Sequence, residues 1–338
     1  MRATATILIV GLGIISACAH ARPAAAQAPD LSGRTVQMII GFGPGGGYDR
    51  WGRAVAQHIG KYLPGKPNVV PQNMPGGGSL TAANHIYNVA PKDGTALAII
   101  ARDATLAPLS GMKGARFDPL KTTWVGTPTT DTNVCFVHRR AKVQSFEDLL
   151  KHELINGNNG VGTGTYSYPN ALNGILGTRF KQVAGYKVSV DVTLAMERGE
   201  VEGYCQTWDS AYNTRPALFD DGTFRVLFQA GAELHPDIKA PSIFSFAKTL
   251  EQKQALEYLY IGQGIGRPFI APPDLSPAVV KTLRDAFDAT MKDPEFLAFA
   301  DRAKLEVDPI SGQEIEAAVR DIYQTPPEVV ARAKAIRD

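Results

Sequence analysis

Cysteine is scarce in this chain, with three residues in 338, at positions 18, 135 and 205. None of the three has the close spacing of a metal or redox pair. The six histidines, at 20, 58, 85, 138, 152 and 235, form no His-Glu-x-x-His or His-x-His pattern, so no metal site is expected. His58 and His85 fall in helical patterns and read as surface or packing residues. Also missing are a Gly-x-Ser-x-Gly elbow, a supported Ser/His/Asp order and paired carboxylates beside a glycine loop, which argues against an enzyme. Lysine and arginine never cluster, which argues against nucleic acid as a partner. Long apolar runs are lacking too: Ile7 to Ala19 is too short to span a bilayer and nothing later is longer. No cofactor is expected.

The short apolar run has a meaning of its own. Arg2 is the only charge before it, and Ala24-Ala25-Ala26 follows, so residues 1–26 read as a secretory signal cleaved after Ala26. Ile15-Ser-Ala-Cys18 loosely resembles a lipobox without its leucine, giving lipid anchoring at Cys18 as the other processing route. Either way the mature protein is exported, and a periplasmic location is expected. Cleavage removes Arg2 and Arg22 from the 35 basic residues and no acid, leaving 33 of each sign. Just over 300 residues then remain, more than one core usually serves, so two lobes are expected. Cys135 and Cys205 both lie in strand-like runs. In an exported protein they read as one disulfide or as two buried thiols.

The most informative stretch runs from Thr35 to Arg50. Val36 to Ile40 is apolar and reads as a buried strand. Five glycines and Pro44 between Gly41 and Gly47 break it. A helix is expected from Asp49, with Trp51, Val55, Ile59 and Tyr62-Leu63 on one face. A glycine loop between strand and helix aims backbone N–H groups and the helix dipole at one point, and glycine lets an anion approach closely. The expected guest is a carboxylate. Gly41-x-Gly43-x-x-Gly46 also fits the dinucleotide fingerprint, but the second strand, Asn68 to Asn73, ends without the acid that motif needs. A turn that merely requires glycines is the plainer alternative.

The pattern repeats downstream. Val69-Val70 leads to Asn73-Met-Pro-Gly-Gly-Gly-Ser79, then a helix from Leu80 to Val89 that Ser79 or Thr81 could cap. Thr95 to Ile100 is a third strand, placing Arg102 and Asp103 at its carboxyl end, where open α/β sheets bind ligands; a surface ion pair is the plainer reading of the two. A second glycine loop, Gly160 to Ser167, precedes an apolar helical run from Leu172 to Phe180. Thr163, Thr165 and Ser167 offer hydroxyl donors there. Trp208 sits at a further strand end, as a stacking surface or a core residue. Ser145, Ser276-Pro277, Asp293-Pro294 and Ser311-Gly-Gln-Glu314 mark helix starts.

Pro44-Gly-Gly-Gly-Tyr-Asp49 with Arg53, Asn73-Met-Pro-Gly-Gly77 and Pro91-Lys-Asp-Gly-Thr-Ala-Leu97 resemble, in order, three motifs of the Bug/TctC family. Phe117-Asp-Pro119 resembles its next turn, and Tyr186 to Glu202 a later segment, with Val188 in place of glycine and Glu202 in place of aspartate. That family comprises periplasmic solute receptors of tripartite tricarboxylate transporters. The resemblance implies a two-lobed α/β periplasmic binding protein of type II, a Venus flytrap with two hinge-crossing strands. The implied lobes are residues 27–132 with 265–338, and residues 133–264. A small mono-, di- or tricarboxylate, possibly aromatic, would sit between them and pass to membrane permease subunits. Phe42, Pro44, Gly45, Gly46, Gly47, Tyr48 and Asp49 are expected on one side of it. Arg102, Asp103, Thr163, Gly164, Thr165, Tyr166, Ser167 and Trp208 are expected around the rest. A receptor for a membrane sensor kinase uses the same fold and stays open as an alternative, as does an exported enzyme acting on a carboxylate.

Overall fold

The computed structural model describes residues 29–231, 233–328, 330 and 331. The expected signal segment and Cys18 lie outside them. No helix among the described residues is long and apolar enough to cross a membrane.

Eleven strands occur among the described residues. They are β1 (Thr35–Ile40), β2 (Asn68–Asn73), β3 (Ala96–Ile99), β4 (Thr123–Thr127), β5 (Asn133–His138), β6 (Leu154–Asn158), β7 (Phe180–Ala184), β8 (Gly203–Thr207), β9 (Phe224–Ala230), β10 (Phe269–Ala271) and β11 (Ile310–Ser311). One sheet has the order β2-β1-β3-β10-β4-β11 and the other β7-β6-β8-β5-β9. In the first, β1 is parallel to β2 and β3, and β10 runs antiparallel between β3 and β4. In the second, β6 is parallel to β7 and β8, and β5 runs antiparallel between β8 and β9. The two sheets share one plan. In each, the antiparallel strand is the one that follows a chain crossing from the other sheet. This is a two-lobed α/β architecture in which the chain passes twice between the sheets.

Burial explains why the strands read as continuous apolar runs: helices cover both faces of each sheet. Val36, Met38 and Ile40 pack with Trp51, Val55 and Ile59 of the helix Gly47–Ile59. Ile39 points the other way, into a core with Ala82, Ala83 and Ile86 of the helix Leu80–Asn88. Leu63 is buried with the first group, but Tyr62 beside it is 38% exposed.

Several boundaries differ from the sequence expectation. The first helix starts at Gly47, two residues before Asp49. The run from Leu172 to Phe180 divides: the helix Gly164–Leu176 ends at left-handed Gly177, and Phe180 opens β7. Ser79 does not cap its helix, because its Oγ accepts the Ala101 N–H at 2.7 Å and so ties down the end of β3. The caps at Ser145, Ser276, Asp293 and Ser311 all form.

Cys135 and Cys205 stand directly opposite on β5 and β8 and are disulfide-bonded. Seventy residues separate them, so the bond restricts the unfolded chain and contributes about 2–4 kcal/mol. Urea unfolding with and without reductant should show that loss. Equal midpoints would mean the bridge adds nothing.

The crossings run against each other, and one glycine makes this possible. Gly266 has φ +62°, and a Cβ there would come within 1.8 Å of the Thr129 carbonyl. Thr127 Oγ1 joins the two, accepting from the Arg267 N–H at 2.8 Å and donating to Thr129 O at 2.9 Å.

Candidate functional site

Between the sheets lies a cavity of about 90 Å³. One wall is the first glycine loop with Phe42, Gly46, Gly47 and Tyr48. Across from it stand Thr163, Gly164 and Thr165 from the second loop, with Arg102, Asp103 and Arg267 between. The two loops expected to share a crevice therefore do share one. Nine of the expected contacts line it: those six loop residues besides Phe42, which makes seven, and Arg102 and Asp103.

Local geometry explains the first wall. Gly46 precedes the helix Gly47–Ile59 with extended backbone, so the first-turn N–H groups of Gly47 and Tyr48 lie at the open end of the helix. The Phe42 and Tyr48 rings stack at 4.5 Å, and the Arg267 guanidinium lies 5.0 Å from the Tyr48 ring centre. Gly47 has no room for a side chain. A Cβ would fall 2.2 Å from Ser210 Oγ and 2.5 Å from Arg267 Nη1.

Asp49 does not reach the cavity. Its Oδ2 accepts the Gly45 N–H at 2.8 Å, and its Oδ1 accepts from Arg53 Nε at 2.9 Å and Asn73 Nδ2 at 2.8 Å. Asn73 also donates to the Phe42 carbonyl at 2.8 Å. Asp49 is thus a brace inside the loop rather than a ligand contact, and Pro44 and Gly45 sit exposed at the loop tip. Burial works against its charge, but Arg53, the Gly45 N–H and Asn73 outweigh it and hold the carboxyl below its usual range. A carboxyl depressed in this way contributes stability above its unfolded pKa of about 4, which is lost as pH falls through the folded value. Asp49→Ala should cost about 1–3 kcal/mol at pH 7, and the gap to wild type should close as pH drops below about 4. Melting curves at the two pH values test this. A gap that persists in acid would rule out the charged brace.

The second loop spends its hydroxyls on itself. Thr163 Oγ1 donates to Gly160 O at 2.7 Å, and Thr165 Oγ1 accepts the Asn159 N–H at 3.0 Å. Ser167 Oγ donates to Thr163 O at 2.9 Å. These hydroxyls hold the turn, so the expectation that they serve a ligand does not follow from their bonds. Tyr166 and Ser167 instead face a neighbouring cavity of about 470 Å³, beyond Asp103 and Tyr168. Its walls are mainly apolar, including Leu80, Ile175 and Leu259. Though larger, it has neither the first glycine loop nor an arginine. Trp208 is in neither cavity. It packs against Tyr212 and Phe219, with ring centres 5.0 and 5.2 Å away.

Behind the cavity runs a polar network through both crossings. Asp131, on the first crossing, meets Arg102 Nη2 at 2.6 Å and Arg267 Nε at 3.3 Å. Arg267 Nη2 also donates to Thr207 Oγ1 at 2.9 Å, and to Asp209 Oδ2 and Ser210 Oγ at 3.0 Å. Arg102 Nη1 donates to Gln263 Oε1 at 2.6 Å, and Gln263 Nε2 donates to Tyr168 OH at 3.0 Å. The Tyr168 hydroxyl in turn donates to Asp103 Oδ1. Burial opposes the charge on Arg102, yet the Asp131 carboxylate holds its pKa above the ordinary value. Burial raises Asp103 and Asp209, against the pull of Arg102 and Arg267 respectively.

Sequence reading missed Asn133, Asn159, Tyr168, Lys187, Val188, Ser189, Gln206, Thr207 and Arg267 in the lining. Arg267 did leave a trace, as the lone charge in the run from Gly264 to Pro272. Val188, where the resemblance led one to expect glycine, has an ordinary extended backbone and lies 3.3 Å from where a Gly43 Cβ would be. Away from the cavity, His58, Asp293 and Glu295 come together. There Lys61 pairs with Asp293 and lies 2.9 Å from Glu295, so an ammonium already serves those acids.

No family model matches the chain. It is 26% identical over 292 residues to the UPF0065 protein in gbd 5'region of Cupriavidus necator, covering 82% of this chain and 80% of that protein. Its structure resembles the periplasmic binding protein BugD, with TM-score 0.70, 18% identity, and 90% and 98% of the two chains covered. It also resembles the R. palustris protein Rpa4515 with adipate, at TM-score 0.69 and 19% identity over 90% and 98% of the chains. MatC from Rhodopseudomonas palustris with bound malate matches at TM-score 0.68 and 16% identity over 90% and 99%.

Proposed function

We propose that this chain, which has the fold of the Bug and TctC periplasmic binding proteins, captures a small organic acid between two lobes. The lobes are residues 27–132 with 265–338, and residues 133–264. One observation carries the reading: a glycine loop at a helix N-terminus of the first sheet faces the Thr163–Thr165 turn of the second across one shared cavity. A carboxylate at a helix N-terminus gains about 0.3–2 kcal/mol, whereas micromolar binding needs about 8 kcal/mol. Grip from both sides with water excluded supplies the difference, and hinge closure at the two crossings provides it. The adipate with Rpa4515 and the malate bound to MatC support a carboxylate as the guest.

Export to the periplasm and delivery to the permease subunits of a tripartite tricarboxylate transporter complete the proposal. The test is calorimetry and thermal shift with mono-, di- and tricarboxylates on protein lacking residues 1–26, with the acids assayed afterwards for conversion. A receptor gains thermal stability and returns its ligand unchanged. No stabilisation by any carboxylate would overturn the reading, and turnover would replace it with catalysis.

A further inference from the structure

The helix Gly164–Leu176 comes from the second lobe, and its N-terminus faces the cavity as an anion site would. That position already holds a carboxyl group of the protein's own. Asp103 Oδ1 accepts from the Tyr168 hydroxyl. Its Oδ2 lies so near the Gly164 backbone that a Cβ there would come within 2.6 Å of it. Asp103 follows β3 of the first sheet, so one lobe offers a carboxylate to the helix terminus of the other. A ligand carboxylate directed to the same point would meet this carboxyl group and compete with it for the same donors.

Two other side chains in the lining have unused capacity. Asn133 and Gln206 are each only 3% exposed. Asn133 Oδ1 and Gln206 Nε2 have no hydrogen-bond partner among the described residues. Buried amide atoms of this kind cost free energy unless a partner meets them. Both residues are uncharged, and both lie at the ends of second-sheet strands that border the cavity.

We propose that Asp103 occupies the second carboxylate position, and that the cavity therefore selects an acid with one carboxylate and an uncharged hydrogen-bonding group at its far end. Gln206 and Asn133 recognise that group, which donates and accepts, as a carboxamide or hydroxyl does. The first glycine loop holds the single carboxylate. This deepens the carboxylate-receptor reading and rests on it.

Matched series separate the two claims: succinate, succinamate and butanoate, then adipate, adipamate and hexanoate, each titrated calorimetrically into wild type. In the series whose length fits, the half-amide should bind at least tenfold tighter than both the diacid and the alkanoate. Asp103→Ala frees the Gly164 N–H and Tyr168 hydroxyl and should shift the preference at least tenfold toward the diacid. Gln206→Leu should erase the advantage of the half-amide over the alkanoate, and it serves as the test if Asp103→Ala fails to fold. Wild type binding diacid as tightly as half-amide, or Gln206→Leu keeping its preference, would overturn the inference while leaving the carboxylate reading intact. Silence from every acid in both series would overturn the two together.

Discussion

Gly46→Val should abolish carboxylate binding while leaving the fold in place. Gly46 has φ −82° and ψ 173°, an extended conformation that valine adopts readily. No heavy atom lies within 4 Å of the position its Cβ would take, so nothing in the protein has to move. Gly46 nevertheless lines the cavity. The added carbons would stand where an anion must come close to the loop's N–H groups. Affinity should fall by at least about 100-fold, equivalent to about 2.7 kcal/mol, with the melting temperature of the ligand-free protein unchanged. Neighbouring Gly47 behaves differently, because its Cβ would strike Ser210 and Arg267. Gly47→Ala should therefore disturb packing between the sheets as well as binding. Unaltered affinity in Gly46→Val would remove the first loop from the site.

Asp131→Ala should have the largest effect on stability. Asp131 is 6% exposed and lies between Arg102, at 2.6 Å, and Arg267, at 3.3 Å. Its removal leaves two nearly buried guanidinium groups without their shared counter-charge. Breaking one partner out of a buried ionic group costs about 3–5 kcal/mol, which for lobes of this size lowers the melting temperature by about 10 °C. Salt should rescue little, since buried pairs are poorly screened. Because Asp131 sits on one crossing and Arg267 on the other, the loss should loosen the hinge as well. A variant melting within about 2 °C of wild type would show that Arg267 is held well enough by Asp209, Thr207 and Ser210.

Local signals proved most legible where neighbours in sequence are also neighbours in space. Val36 to Ile40 followed by glycines predicts strand, loop and helix because each of those choices is made within a few residues. The caps at Ser145, Ser276, Asp293 and Ser311 were readable for the same reason. Asp49 shows the limit of that method. Its position in the motif marked it for the site, but its direction depends on Asn73, from β2, and on the Gly45 N–H, which turn it into the loop. Trp208 was ambiguous from sequence because stacking on a ligand and packing in a core require the same residue type. Only Tyr212 and Phe219 beside it decide for the core.

Sequence by itself determined the strand–glycine-loop–helix units, their order and the family they resemble, because glycine, proline and apolar spacing act through the local backbone. Tertiary structure decided the disulfide between residues 70 apart, the contact of Asp131 with Arg267 across 136 positions, and the seating of Asp103 at another lobe's helix. Those pairings depend on sheet register and on two chain crossings. Coulomb forces and hydrogen bonds act through space, and no spacing along the chain records which distant groups folding will bring together.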